Sequence, residues 1–325
     1  MSSARVILAA AGAAAITVVA ALGSGSASAA SQSTDSAQGV SKAGTQVVVR
    51  AGTALATPTY VAADPGKVAT ATFSVTYTGF TPAAKASFQR AVNYWARQVT
   101  SSVPITIDAK FSPLGTGILG SAGPSSVWRD FAGAPQPGTW YVDAIANKRA
   151  GRQLGTSADI TAQFSSNFSN WFYGTGPAPK GKYDFQSVVT HELGHGLGFL
   201  GAGRVTGSSG SVKLSGLPIA YDRFTETGAG KKLLSLPDNS VTLAKALQSG
   251  NVVFDQPGVR SANGGKPAKL YAPSAWQQGS SYSHLDEATF RAGNPNSLMT
   301  PAIGSGETIR SEGPIMKAIF SAIGW

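Results

Sequence analysis

His191, Glu192 and His195 constrain this 325-residue chain more than any other feature. On an α-helix, residues four apart lie on one face with their Cβ atoms about 5–6 Å apart, so both imidazoles can reach one ion. Glu192 is turned about 100° from His191 around the axis. That places it beside such an ion, where a carboxylate can hold and deprotonate a bound water. The chain has three His and five Glu in all, so the chance expectation for this spacing is on the order of a few in ten thousand. The plain alternative is a pair of hydrogen-bonded helix histidines with a solvated Glu. Phe185, Val188, Val189 and Leu193 form an apolar stripe that predicts a helix, with Asp184 as its N-cap. Gly194, Gly196 and Gly198 do not suit a simple helix, since each costs about 1 kcal/mol relative to Ala. A backbone held close to a cleft, or a turn at positive φ, would require them.

The N-terminus reads as an address. Met1 to Arg5 is short and basic, Val6 to Leu22 is apolar, and Ala27-Ser28-Ala29 is a small-residue cleavage signal. Residues 1–29 are therefore expected to be a cleavable Sec-type signal peptide, and the mature chain secreted. A membrane anchor is the alternative, but the run is Ala-rich and barely long enough to span. The chain has no cysteine, so an exported domain of this kind must be held by its core and by metal. Its net charge of +10 favours anionic neighbours such as wall polymers or lipid head groups. The basic residues are scattered, with no run beyond Lys231-Lys232 and no interleaved aromatics, which argues against nucleic acid.

Residues 30–70 are mostly Ser, Ala, Gly and Thr and read as a linker or a propeptide, with Thr45 to Arg50 the clearest strand-like run. A catalytic-size domain then occupies 71–325. Phe73, Val75 and Tyr77 alternate as a strand, and Thr81-Pro82 opens a helix in N-cap and N1 order. Its core face is Ala84, Phe88, Ala91, Val92, Trp95 and Val99. Val103 to Phe111 alternates again, so strand, helix and strand favour parallel pairing. Residues 113–140 are rich in Gly, Pro and Ser and read as loop, pinned by Trp128, Phe131 and Trp140; Tyr141 to Lys148 reads as a short helix. Ala158 to Phe164 is a further strand, expected to be an edge that could pair with an extended peptide. Residues 202–280 read as a loop-rich insertion with one helix, capped by Ser240 and ended by Gly250, and a short strand at Val252 to Phe254. Gly313-Pro314 opens a last helix.

Two histidines leave a catalytic zinc one protein ligand short. A third His six residues after the second would complete a close-spaced site, but that position is Gly201. The one remaining histidine, His284, is the candidate by elimination. Asp222, Asp286 and Glu287 stay open, because carboxylates also complete such sites.

The run His191-Glu192-Leu193-Gly194-His195-Gly196-Leu197-Gly198-Phe199, followed by Ser297-Leu298-Met299-Thr300-Pro301, resembles the metzincin zinc peptidases. The leishmanolysin-like group is the most similar, because there too an insertion separates the glycine turn from a third His shortly before the Met-turn. The resemblance implies that His191, His195 and His284 carry zinc, that Glu192 is the general base, that Gly198 turns the chain and that Met299 supports the site. It also implies an α+β fold: a twisted, mostly parallel sheet with the site helix above, and an irregular lower part with the Met-turn and C-terminal helix. The chain departs from leishmanolysin in lacking disulfides and in a longer insertion rich in Gly, Ser and Pro.

The expected function is a secreted zinc endopeptidase acting on protein or peptide substrates, with one catalytic Zn²⁺, no nucleic acid, no membrane span and an association with the cell wall left open. A monomer is assumed. Ca²⁺ stays open as a second metal, although no EF-hand-like loop is present. Two rivals are a secreted binding protein with a structural zinc and a zinc hydrolase of non-peptide bonds.

Overall fold

The computed structural model describes residues 39–64 and 68–325. The signal-peptide reading of residues 1–29, with its cleavage signal, lies outside the described residues. The fold is mixed α/β, with six α-helices and several sheets among the described residues.

Its centre is a six-stranded sheet. In chain order the strands are β1 (Val47–Ala51), β2 (Phe73–Thr78), β3 (Ile105–Ser112), β4 (Ile118–Pro124), β5 (Ile160–Ser165) and β6 (Ala302–Ile303). Across the sheet they run β6-β1-β4-β5-β3-β2. The pairs β2/β3, β3/β5 and β1/β6 are parallel, and β4 alone runs against both its neighbours. The strand-helix-strand unit therefore pairs in parallel as the sequence predicts.

Helix α1 (Pro82–Gln98) begins where Thr81 Oγ1 accepts from the Ala84 amide at 3.2 Å, a side-chain cap that satisfies one of the free first-turn donors. Its predicted core face is buried, and Trp95 Nε1 donates to the Thr190 carbonyl at 3.0 Å, which docks α1 against α3 (Phe185–Gly196). Helix α2 (Asp143–Ala150) covers a small antiparallel sheet, Ser126–Arg129 with Tyr141–Val142. Below lie α4 (Val241–Leu247), capped by Ser240 Oγ at 3.1 Å, and α5 (Pro257–Ala262). The last helix, α6 (Gly313–Ile323), ends under the site helix, with Trp325 Nε1 donating to the Leu197 carbonyl at 2.6 Å.

Three expectations are corrected. Residues 113–140 are not one loop, because β4 and Ser126–Arg129 lie within them. The strand read at Ala158 to Phe164 is β5, which is interior, bonded on one side to β3 and on the other to β4, so it offers no free edge. Residues 202–280 hold more regular structure than one helix and one strand. They contain the hairpin Arg204–Thr206 and Ser209–Ser211, and an antiparallel sheet of Thr225–Thr227, Val252–Phe254 and Ala268–Leu270. The strand-like run near Thr45 to Arg50 is β1, within the central sheet.

Candidate metal centre

The site is built from α3 outward. Asp184 caps the helix, accepting from the Ser187 amide at 3.0 Å and the Ser187 hydroxyl at 2.6 Å. A buried ion pair to Arg310 at 2.7 Å neutralises it. At the other end, the Gly198 amide bonds to the His195 carbonyl and the Phe199 amide to the Gly194 carbonyl, both at 3.0 Å. This is a Schellman closure with Gly198 as its left-handed residue, at φ +117°. The other two glycines serve close packing. A Cβ on Gly194 would lie 2.7 Å from Met316 Cε and 3.1 Å from Met299 Sδ, and one on Gly196 would lie 2.5 Å from Ile160 Cγ2. Met299 thus lies directly against the backbone that carries His195.

The three histidines meet. Their Nε2 atoms are 3.0 Å apart for His191 and His195, and 3.2 Å for each of the pairs with His284. Each Nδ1 faces a backbone carbonyl: Leu298 at 2.5 Å for His191, Phe199 at 2.7 Å for His195 and Ser280 at 2.6 Å for His284. A carbonyl can only accept, so each Nδ1 carries the proton and each Nε2 presents a lone pair. Three lone pairs pointed at one another repel unless a cation lies between them. Tetrahedral zinc with Zn–N of about 2.05 Å would hold its nitrogens roughly 3.3 Å apart, close to the separations here. Burial holds all three rings neutral, with the His191 pKa lowered to about 4 against the opposing Leu298 hydrogen bond. His195 and His284 are also lowered well below the usual value, first by burial and then by neighbouring rings, His191 and His284 for His195 and His191 for His284. These three buried residues lie close enough to bind a metal ion.

The carboxylates left open by the sequence have other partners. Asp222 accepts from Tyr282 Oη at 2.8 Å, the Ile219 amide at 2.8 Å and the Ala202 amide at 3.0 Å. Asp286 accepts from the Thr289 amide at 3.0 Å and faces Lys269 Nζ at 3.6 Å. Glu287 lies beside Thr300 and Ala302, which oppose the rise in pKa that its burial causes, and its Oε2 has no hydrogen-bond partner among the described residues. Sequence reasoning missed the Asp222–Tyr282 pair, which fixes the approach to His284. Tyr282 holds φ +74°, rare for a bulky residue. Its ring passes where a Cβ on Gly201 would stand, 2.2 Å from Cε1. The position where a close-spaced third ligand would fall is glycine so that this loop, with His284, can return there.

Glu192 is fully buried beside the histidines. Its Oε1 accepts from the Val49 amide at 2.9 Å, and its Oε2 has no hydrogen-bond partner among the described residues. Burial pushes its pKa well up, against the Val49 and Ala122 amides. A buried carboxylate with one unused oxygen is costly to keep for stability alone.

No family model, curated protein or solved structure matches the chain. Fold and site together define a mixed α/β protein with a buried three-histidine centre that can bind a metal ion, and no helix among the described residues is long and apolar enough to cross a membrane.

Proposed function

We propose that the chain is a secreted zinc endopeptidase of metzincin type, most similar to the leishmanolysin-like group, with Glu192 as its general base. One observation carries the reading: three histidine Nε2 atoms facing one point, beside a buried carboxylate that already accepts an amide hydrogen from an extended backbone. A purely structural zinc site has four closed ligands and no use for a neighbouring base. The Schellman turn at Gly198, Met299 under Gly194, and a third His ahead of Met299 support the metzincin class.

His191, His195 and His284 would hold the zinc, which would supply Lewis acidity toward a water and a carbonyl oxygen. The chain's own residues do the rest. Leu298, Phe199 and Ser280 fix the ring tautomers and orientations. Glu192 takes a proton from water at its unpaired oxygen and returns it to the leaving amide nitrogen, which must come within about 2.6–3.2 Å. A substrate strand would pair by main-chain hydrogen bonds along β4 in the place that β1 holds. The test is Glu192→Gln, which keeps the acceptor for the Val49 amide but cannot act as a base. It should bind metal like the wild type and lose hydrolysis of a casein-type substrate by about 10²–10⁴-fold; undiminished proteolysis by the pure variant would remove the reading.

A further inference from the structure

We propose that the Val48–Val49 peptide bond is this chain's own cleavage site, held in the catalytic groove by the segment Val47–Ala51 as an extended peptide substrate would be. The inference rests on the peptidase reading of Glu192.

Three observations converge on that bond. A general acid must reach the leaving nitrogen, and the amide nitrogen bonded to the Glu192 carboxylate is that of Val49, at 2.9 Å. The backbone is seated on both sides: β1 runs antiparallel to β4 and parallel to β6. The Val48 amide donates to the Gly279 carbonyl at 2.9 Å, the Arg50 amide to Pro301 at 3.2 Å and the Ala51 amide to Gly117 at 2.9 Å. Gly279 adjoins Ser280, whose carbonyl orients His284. The Val49 side chain enters a pocket with His191, walled by Ser187, Val188, Leu298, Ile303 and Ile309. Val49 is 1 % exposed, and the free space left in that pocket is about 10 Å³, at the lower limit for one water. The Val48–Val49 unit therefore lies between the His191 and His284 sides of the centre with its side chain already bound.

The flanks anchor it. Upstream, Val40–Ala43 pairs antiparallel with Ser126–Arg129; downstream, the Gly52 amide bonds to the Ile303 carbonyl and Thr59–Val61 pairs in parallel with Glu307–Ile309. Holding the bond this way replaces an encounter with a fixed geometry. It also fills the edge of β4, so a second peptide can enter only after the segment is cut and leaves. In the cut, one water oxygen bonds to the Val48 carbonyl carbon and Glu192 takes the water's proton. The Val48–Val49 C–N bond then breaks, and Glu192 gives that proton to the Val49 nitrogen. The new Val48 carboxyl gives up the water's second proton, by way of Glu192, to the released amine, so that Val48 ends as a carboxylate and Val49 as a new α-ammonium. The pocket favours the same chemistry in other substrates, an aliphatic residue directly after the cut bond.

The test uses the whole chain, held in chelator and then given zinc at two protein concentrations tenfold apart. Intact mass and N-terminal sequencing should show a product beginning at Val49, forming with one half-life at both concentrations and absent from Glu192→Gln. Amide hydrogen exchange supplies a readout independent of activity. In the Glu192→Gln background residues 47–52 should be protected, and adding Val49→Asp should speed their exchange at least about tenfold while α1 stays unchanged. Hydrolysis of casein with the Val48–Val49 bond left intact would overturn this inference alone, as would exchange at 47–52 indifferent to Val49→Asp. If neither casein nor the bond is cut, the peptidase reading falls with it.

Discussion

The amide nitrogen of Val49 lies 2.9 Å from Glu192 Oε1 across a sequence separation of 143 residues. Gly120 of β4 makes the approach possible, since a Cβ there would stand 3.2 Å from Glu192 Cγ and 3.1 Å from Phe164 Cδ1. Glu192 is thus enclosed by its own helix, by β4 and by β1.

Gly198→Ala tests the turn that follows the second histidine. Its φ of +117° is strained for any L side chain, and the new Cβ would meet Ile323 Cδ1 at 3.0 Å and Ile145 Cδ1 at 3.2 Å. The expected loss is roughly 1–3 kcal/mol. Zinc affinity should also fall about 10- to 100-fold, because the Phe199 carbonyl that orients His195 moves with the turn. Gly207→Ala is the control: φ is also positive but nothing lies within 4 Å, so about 1–2 kcal/mol and no change in zinc affinity are expected. Chemical denaturation and zinc titration of the two variants check this.

Arg310→Ala leaves the buried Asp184 carboxylate without its partner. The pair is 5 % and 0 % exposed, and breaking such a pair from one side costs about 3–5 kcal/mol. The double variant Asp184→Ala/Arg310→Ala should lose less than the sum of the single losses, which a double-mutant cycle measures. Strict additivity would show that the two residues act separately.

How much of this was legible beforehand depends on which residues carry local signals. Helices α1, α3 and α6 announce themselves through Thr81, Asp184 and Pro314 and through apolar periodicity. The two site histidines and Glu192 follow from helical spacing, and His284 from there being no fourth histidine. Strand β4 was hidden because its glycines read as loop. They are there for close approach: a Cβ on Gly123 would lie 2.0 Å from the Thr45 carbonyl oxygen, and Gly120 makes room for Glu192. Missing β4 made β5 look like an edge. The sheet below consists of three-residue strands, of which only the apolar run Val252–Phe254 was legible; the others are too short for a period to show. That β1 belongs to the sheet is a long-range fact which no local pattern encodes.

Glu307→Gln predicts a difference in pH dependence. Burial raises the Glu307 pKa from 4.5 to about 7, with the Glu287 charge adding and the Gly304 amide opposing. The folded value lies above the unfolded one, so this residue's contribution is fully present below about pH 4.5 and lost as pH rises through about 7. Gln keeps an acceptor for the Gly304 amide and cannot ionise. The variant should match the wild type near pH 4.5 and exceed it by up to about 3 kcal/mol at pH 8; equal stability at pH 8 would contradict the assignment.

The most direct measurement is metal content per chain for the wild type and for His284→Ala after exhaustive dialysis. His284 comes from a loop 89 residues beyond His195, yet it completes the convergence of the three Nε2 atoms. One zinc per wild-type chain and essentially none in the variant are predicted. A wild type that retains no metal, or a His284→Ala protein that holds zinc as tightly as the wild type, would contradict a three-histidine metal centre.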